Sequence, residues 1–424
     1  MTSPRSLDRR LGLADAVFIG LGSMIGAGVF AAFTPAAQAA GSGLLVGLAV
    51  AAAVALGNAL ASAQLAAVYP ESGGTYVYGR RVLSPWWGFL AGWSFVIGKT
   101  ASCAAMALTF AASAAPAGWE KPVAVAAVAG LAAVNYRGVT RTAALTRLIV
   151  VVVLLALAIV VATAGNAMID GTVPASAGSG VLVSGGWYGI LQSAGLLFFA
   201  FAGYARIATM GEEVRRPERT IPLAIVIALS ITVAVYGVIA VAILGVLGAD
   251  GVAATATPLT DTVLAGGGEI LAPLVQVGAA AASLGALLAL IAGIGRTSLA
   301  MAREGDLPRF LSAVHPRFHV PHRAEVALAV VVSILVFTVD LRGAIAFSSF
   351  GVLLYYFVAN VAAFHQPAAE RRYPRALQVV AGAACVVLVV TLPPAGIVAG
   401  IGVLLAGVGY RLLVRRGTAP ASGG

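Results

Sequence analysis

Gly20-Leu-Gly-Ser-Met-Ile-Gly-Ala-Gly-Val-Phe30 stands in the middle of the first long apolar run, where an uninterrupted helix would otherwise be expected. Four glycines (Gly20, Gly22, Gly26 and Gly28) fall within nine residues. Each costs roughly 1 kcal/mol relative to alanine in a helix interior. A backbone amide left free in hydrocarbon is costlier still. This density of glycine suits a backbone that opens and lines a cavity, with room for a ligand to approach the main chain closely.

The apolar character extends over the whole chain. Of 424 residues, 60% are hydrophobic and only 10% charged, and the mean hydropathy is +0.98. Those values exclude an ordinary soluble domain. Apolar runs of about 20 residues, the length that crosses a bilayer as helix, recur from end to end. The chain reads as an all-α polytopic membrane protein with no room for a sizeable soluble domain. The first ten residues are polar and no small-residue cleavage site follows a short apolar core, so no cleavable signal peptide is expected. Cys103 and Cys385 both fall in apolar runs, as packing residues do.

About twelve spans are expected. The first five run near Ala14–Phe33, Gly43–Val68, Pro85–Ala114, Pro122–Tyr136 and Leu145–Ala164. The next five run near Tyr188–Gly211, Ile221–Leu247, Leu271–Ala302, Glu325–Val339 and Ala344–Phe364, and the last two near Ala376–Leu392 and Ala395–Leu413. Residues 1–13 and 414–424 are read as tails. The connections Asn166–Gly186 and Gly248–Glu269 are read as solvated, with room for a short surface helix. With the N-terminus inside, 21 of the 26 Lys and Arg residues fall on the inner side, counting Arg147 and Arg411 at the inner ends of their spans, and two, Lys121 and Arg342, on the outer. The other three, Lys99, Arg206 and Arg296, lie within spans. This asymmetry predicts an even span count with both termini cytoplasmic, in the cytoplasmic membrane. The net charge of +10 is thus a topology signal, with contacts to membrane lipids as a by-product. No basic patch is interleaved with aromatics as nucleic-acid binding would require.

Three stretches carry a family likeness: Gly22-Ser-Met-Ile-Gly-Ala-Gly-Val-Phe30, Tyr69-Pro-Glu-Ser-Gly-Gly-Thr-Tyr76, and Phe198-Phe-Ala-Phe-Ala-Gly-Tyr204 with Gly211-Glu-Glu-Val-Arg-Arg-Pro-Glu-Arg-Thr-Ile-Pro222. Met301-Ala-Arg-Glu-Gly-Asp-Leu-Pro308 and His315-Pro-Arg-Phe318 extend it. Together they resemble the amino acid–polyamine–organocation (APC) superfamily of permeases, over essentially the whole chain. The resemblance implies a leucine-transporter-like core. In it, spans 1–5 (residues 14–165) and 6–10 (residues 187–364) form inverted repeats, residues 376–413 add two further spans, and spans 1 and 6 are broken. Glycine interruptions in both of those spans agree with a binding site at the repeat interface.

The resemblance also implies a head-group site. Within Ser23–Gly28, Met24 and Ile25 would offer carbonyls and Gly26, Ala27 and Gly28 amides, where a half-helix N-terminus favours a carboxylate. In the sixth span Phe199, Ala200 and Ala202 would offer carbonyls to an amine beside Gly203, with Phe201 a gate or pocket wall. The alternatives are close helix packing through small residues for the first stretch and an aromatic packing stripe for the second. Ser348–Phe350 and Tyr355 in the tenth span are weaker candidates.

Lys99 and Arg206 are the ionisable residues of greatest interest. An intramembrane lysine costs about 2.5–3.5 kcal/mol on insertion scales and marks a functional candidate; the bland alternatives are snorkelling or a structural ion pair. Lys99 is a candidate for proton coupling or the pocket. Some proton-coupled relatives carry a lysine in the fifth span where this chain has Val153. Arg206 is expected to meet a substrate acid or to pair with Glu212 or Glu213. Sodium coupling would need oxygen ligands on the eighth span, where Ser283 is the nearest candidate. His315, His319 and His322 are read as a structural loop, not a metal site. No Ser–His–Asp set, phosphate loop or paired intramembrane carboxylate points to an enzyme or to a cofactor.

The expectation is therefore a secondary transporter of amino acids or related amines, working by alternating access and linked to H+. Exchange or uniport without proton coupling, and a non-transporting sensor of the same fold, are the alternatives.

Overall fold

The computed structural model describes residues 11–69, 73–138, 143–171, 185–210 and 213–417. The chain opens with α1 (Leu13–Met24), α2 (Ala27–Ala31), α3 (Phe33–Ala40), α4 (Leu44–Val68), the single turn α5 (Thr75–Tyr78) and α6 (Pro85–Ala114). It continues through α7 (Glu120–Tyr136), α8 (Ala143–Ile169), α9 (Gly186–Phe201), α10 (Ala205–Ala208), α11 (Pro217–Ala254) and α12 (Pro258–Ala265). α13 (Ala272–Arg303), α14 (His322–Thr338), α15 (Leu341–His365), α16 (Arg375–Thr391) and α17 (Pro394–Gly417) complete it. Among the described residues the one strand-like contact is a bridge between Leu11 and Val214.

Nine stretches among the described residues are long and apolar enough to cross a membrane: 13–31, 33–68, 85–114, 144–169, 186–208, 217–254, 272–303, 341–365 and 394–414. The remaining three expected spans coincide with the 17-residue helices α7, α14 and α16. Each is about 26 Å long at 1.5 Å per residue, a little short of the roughly 30 Å hydrocarbon core. Large apolar side chains stand exposed along α8, α11, α14, α16 and α17, for example Leu155, Val241, Val330, Val380 and Leu405. In water such faces would be a liability; in lipid they are the solvated surface.

The interior is built on small residues, which let backbones approach closely. α6 and α15 meet at Gly98 and Gly351, where a Cβ on Gly351 would lie 2.6 Å from the Ser94 carbonyl oxygen. α4 and α9 meet at Gly47, where a Cβ would lie 2.8 Å from Ser193 Oγ. Buried amides pair inside the bundle: Asn360 donates to Asn58 at 2.6 Å and Gln64 to Gln366 at 2.7 Å.

Both expected interruptions are present. α1 stops at Met24, Ile25 caps it by donating to the Leu21 carbonyl, and α2 restarts the chain at Ala27. α9 stops at Phe201, tightens into a 3-10 turn over Ala202–Tyr204, and resumes as the short α10. Two features go beyond the sequence reading. Residues 33–40, left between the first two expected spans, form the separate helix α3, which packs on α9 and is parted from α4 at Gly41, whose φ of 56° is the left-handed value that favours glycine. The connection after α11 carries the short helix α12, which buries Leu259, Thr260, Thr262 and Val263 against α8, α11 and α13 and leaves Leu264 exposed. Of the connection 166–186, residues 172–184 lie outside the described residues.

Candidate functional site

The two breaks meet backbone to backbone. A Cβ on Gly203 would sit 2.2 Å from the Ser23 carbonyl oxygen and 2.7 Å from the Met24 nitrogen. A Cβ on Gly28 would sit 2.8 Å from Ala200 Cα. Only glycine permits either approach. Gly26 faces α13 instead: its added Cβ would lie 3.3 Å from Ala286 Cβ and from the Gly22 carbonyl oxygen.

Breaking two helices frees carbonyls, and side chains of the surrounding helices answer those of Met24, Ala200 and Ala202. Tyr236, fully buried on α11, donates toward the Met24 carbonyl and, at 3.2 Å, the Ala200 carbonyl. The Ala202 carbonyl accepts from Lys99 Nζ at 3.4 Å and from the Tyr356 hydroxyl at 3.2 Å. The Phe199 carbonyl accepts the Ala202 amide. Gly26, Ala27 and Gly28 lead into and open α2, whose first-turn amides have no acceptor within the helix. Phe201 is fully buried, its ring centroid 5.2 Å from that of Tyr236.

Tyr236 and Tyr356 were missed by the sequence reading. The available signal was a phenol in an otherwise apolar helix, whose hydroxyl must find an acceptor once buried. On α15, Tyr356 and not Tyr355 reaches the break. Tyr355 accepts the Thr75 amide at 3.1 Å, Ser348 shares a 2.7 Å hydrogen bond with Ser102, and Phe350 lies under Gly400 of α17. Tyr236→Phe is expected to cost about 1–3 kcal/mol of stability, because it leaves buried carbonyls of both breaks without their donor, read as a lower melting temperature in detergent.

The other candidates are dispersed. Ser283 is fully buried on α13 and its hydroxyl has no hydrogen-bond partner among the described residues. Val153 is buried on α8. Arg206 is half-buried on α10, where Glu213 and Arg296 act on it electrostatically; Glu212 lies outside the described residues. His315 fastens its loop, accepting the amides of Arg317 and Phe318 at 3.2 Å each and stacking on the Phe318 ring. Among the described residues no group of three or more His, Cys, Asp or Glu is placed to hold a metal.

Two motif stretches meet at the arginine-rich end of the bundle. Asp306 accepts from Tyr76 at 3.1 Å and Arg80 at 3.1 Å, and pairs with Arg411 at 3.3 Å. Burial and the neighbouring Asp306 push the Tyr76 phenol above its ordinary value, so it remains a donor. Arg411, set by sequence among the basic residues of the inner face, is fully buried, its guanidinium 4.6 Å from the ring centres of Trp86 and Phe89.

A cavity of about 920 Å³ lies elsewhere, between α6, α13, α14, α15 and α17. Ile97, Thr100, Ser298, Val331 and Phe347 are among its mostly apolar lining, to which neither break contributes.

Comparison with known proteins points to one family. A family model described as amino acid permease matches residues 11–410. An uncharacterised transporter of Mycobacterium tuberculosis is 57% identical over 99% of this chain and 95% of its own length. A branched-chain amino acid permease of Bacillus subtilis is 25% identical over 76% of this chain and 72% of its own. A vacuolar cationic amino acid transporter of Arabidopsis thaliana is 28% identical over 83% of this chain and 62% of its own.

Proposed function

The chain belongs to the amino acid permease family of the APC superfamily, and from that premise we propose that it is a secondary transporter carrying amino acids or related amines across the cytoplasmic membrane by alternating access. The observation that carries this reading is the contact of the two breaks at Gly203 with Ser23–Met24 and at Gly28 with Ala200. It gathers freed amides and carbonyls of two discontinuous helices into one place, the arrangement that serves a small zwitterion. In this reading the solute carboxylate lies on the amides of Gly26, Ala27 and Gly28. Its amine lies among the carbonyls of Met24, Ile25, Phe199, Ala200 and Ala202.

The nine long stretches and α7, α14 and α16 together make twelve spans. The first and second sets of five form inverted repeats, and both termini are cytoplasmic, as the basic residues favour. The Asp306 cluster then lies on the cytoplasmic face. H+ is the coupling ion, with Lys99 as the titrating group in place of a lysine at Val153. Lys99→Met is expected to transport with its pH dependence lost, and a wild-type pH profile in that variant would contradict the assignment.

Uptake and counterflow in proteoliposomes, with and without a protonophore, test the proposal. Saturable accumulation of an amino acid or amine that collapses with protonophore is expected. Flux indifferent to protonophore indicates exchange or uniport, and binding without flux indicates a sensor.

A further inference from the structure

The amine end of this head-group site already holds a cation. Lys99 Nζ lies 3.4 Å from the Ala202 carbonyl oxygen, beside the Tyr356 hydroxyl at 3.2 Å from the same oxygen. Ala202 precedes Gly203, the residue pressed against Ser23–Met24, so the ammonium reaches the junction of the two breaks. Lys99 is buried, with 9% of its surface exposed.

An ammonium carries three donors and no acceptor, and a buried charge is costly unless something of opposite sign answers it. No such group is supplied from the surrounding helices. α2, α6, α9, α10, α13 and α15 contain no Asp or Glu. Asp15, the one carboxylate of α1, pairs with Arg147. Among the described residues no carboxylate pairs with Lys99. The Met24 and Ala200 carbonyls, assigned above to the solute amine, already accept from the Tyr236 hydroxyl, so the junction can host one further ammonium but offers nothing for an additional net positive charge. Charge is thus unbalanced in one direction: the junction is short of a negative group and already has a positive one.

We propose that Lys99 is a built-in cation of the solute site, selecting solutes that bear a carboxylate and no net positive charge, so that neutral and acidic amino acids enter while arginine, lysine and polyamines are rejected. The solute carboxylate, held on the amides of Gly26, Ala27 and Gly28, brings into the junction the negative charge that the helices leave out, and so balances Lys99. A solute with net positive charge brings a like charge into a site of low dielectric, where repulsion is strong. The vacuolar relative named for cationic amino acids then differs from this chain in substrate class despite the shared fold. The inference rests on reading the two breaks as the solute site.

Binding to the purified full-length protein tests it, with L-alanine, L-leucine, L-glutamate, L-arginine, L-lysine and putrescine as probes. At least one of the first three is expected to bind tenfold or more tightly than any of the last three. Lys99→Gln is expected to shrink that ratio below threefold, and Lys99→Arg, which keeps the charge, to preserve most of it. Equal or tighter binding of arginine, lysine or putrescine by the wild type overturns the proposal. So does an unchanged ratio in folded Lys99→Gln, or no binding of any carboxylate-bearing probe. Counterflow with the same probes separates this from the transport reading. Flux with cationic solutes preferred removes only the role of Lys99, and selective binding without flux removes only transport.

Discussion

Gly203→Ala is expected to lower solute binding and uptake by about 100-fold or more, the loss equivalent to about 3 kcal/mol, at wild-type amounts of protein in the membrane. The added methyl carbon has nowhere to go. It would lie 2.2 Å from the Ser23 carbonyl oxygen, 2.4 Å from the Ser23 carbonyl carbon and 2.7 Å from the Met24 nitrogen. All three are backbone atoms, so no side-chain rotation relieves the clash, and the two breaks must separate. The carbonyls of Met24 and Ala200 would then no longer share Tyr236, and Ala202 would be carried away from Lys99. Gly26, in the middle of the first break, is the contrast. Its Cβ contacts are milder, at 3.3 Å to a methyl and a carbonyl oxygen, so a single methyl at Gly203 is expected to do more harm than one at Gly26. Gly130→Ala, with nothing within 4 Å of the new carbon, is the control. Uptake within twofold of wild type is expected there. Wild-type affinity in Gly203→Ala would mean that the junction is not the site.

Asp306→Asn is expected to cost about 3–5 kcal/mol of stability, the loss typical of removing one partner from a buried ion pair. Asp306 is the acceptor shared by Tyr76, Arg80 and Arg411. The Arg411 side chain is 1% exposed, so its charge cannot turn to water when the carboxylate becomes an amide. A melting temperature several degrees lower in detergent is the readout. Adding Arg411→Met should recover part of the loss, because the residual cost lies in the stranded guanidinium. Glu304, half-exposed at the other end of the Arg80 pair, is a different case. Glu304→Gln is expected to change stability by less than about 1 kcal/mol, as screened surface pairs do. A larger loss in Glu304→Gln than in Asp306→Asn would show that burial does not set the ranking.

The broken helices were legible because glycine this dense in an apolar run works against a continuous helix at every turn. α6 begins at Pro85, as read, because proline at the first helical position lacks only an amide that would be unbonded there. Lys99 was legible as a buried ammonium, but its partner was not. The carbonyl it reaches lies 103 residues away and is free only because the sixth span unwinds. Tyr355 and Tyr356 are set about 100° apart around one helix by its 3.6-residue turn, and nothing in their sequence says which faces the junction; packing on Phe198 and Tyr204 brings Tyr356 there. Arg411 misled for a related reason. Counted by side it is one more inner arginine, and only the fold brings Asp306, Trp86 and Phe89 around it. The start of the second span was legible near Gly43, but residues 33–40 were read as the connection before it and not as α3, because Thr34, Pro35 and Gln38 interrupt the apolar run.

Substrate protection of single cysteines tests the central claim most directly. In a chain with Cys103 and Cys385 replaced by alanine, Ser23→Cys places a thiol at the junction and Ser298→Cys places one on the wall of the 920 Å³ cavity. A small thiol-reactive reagent is applied with and without the amino acid that gives the strongest counterflow. Slower labelling of Ser23→Cys in its presence, with Ser298→Cys unaffected, is the predicted result. Protection of Ser298→Cys and not Ser23→Cys would move the solute out of the broken helices and contradict the account.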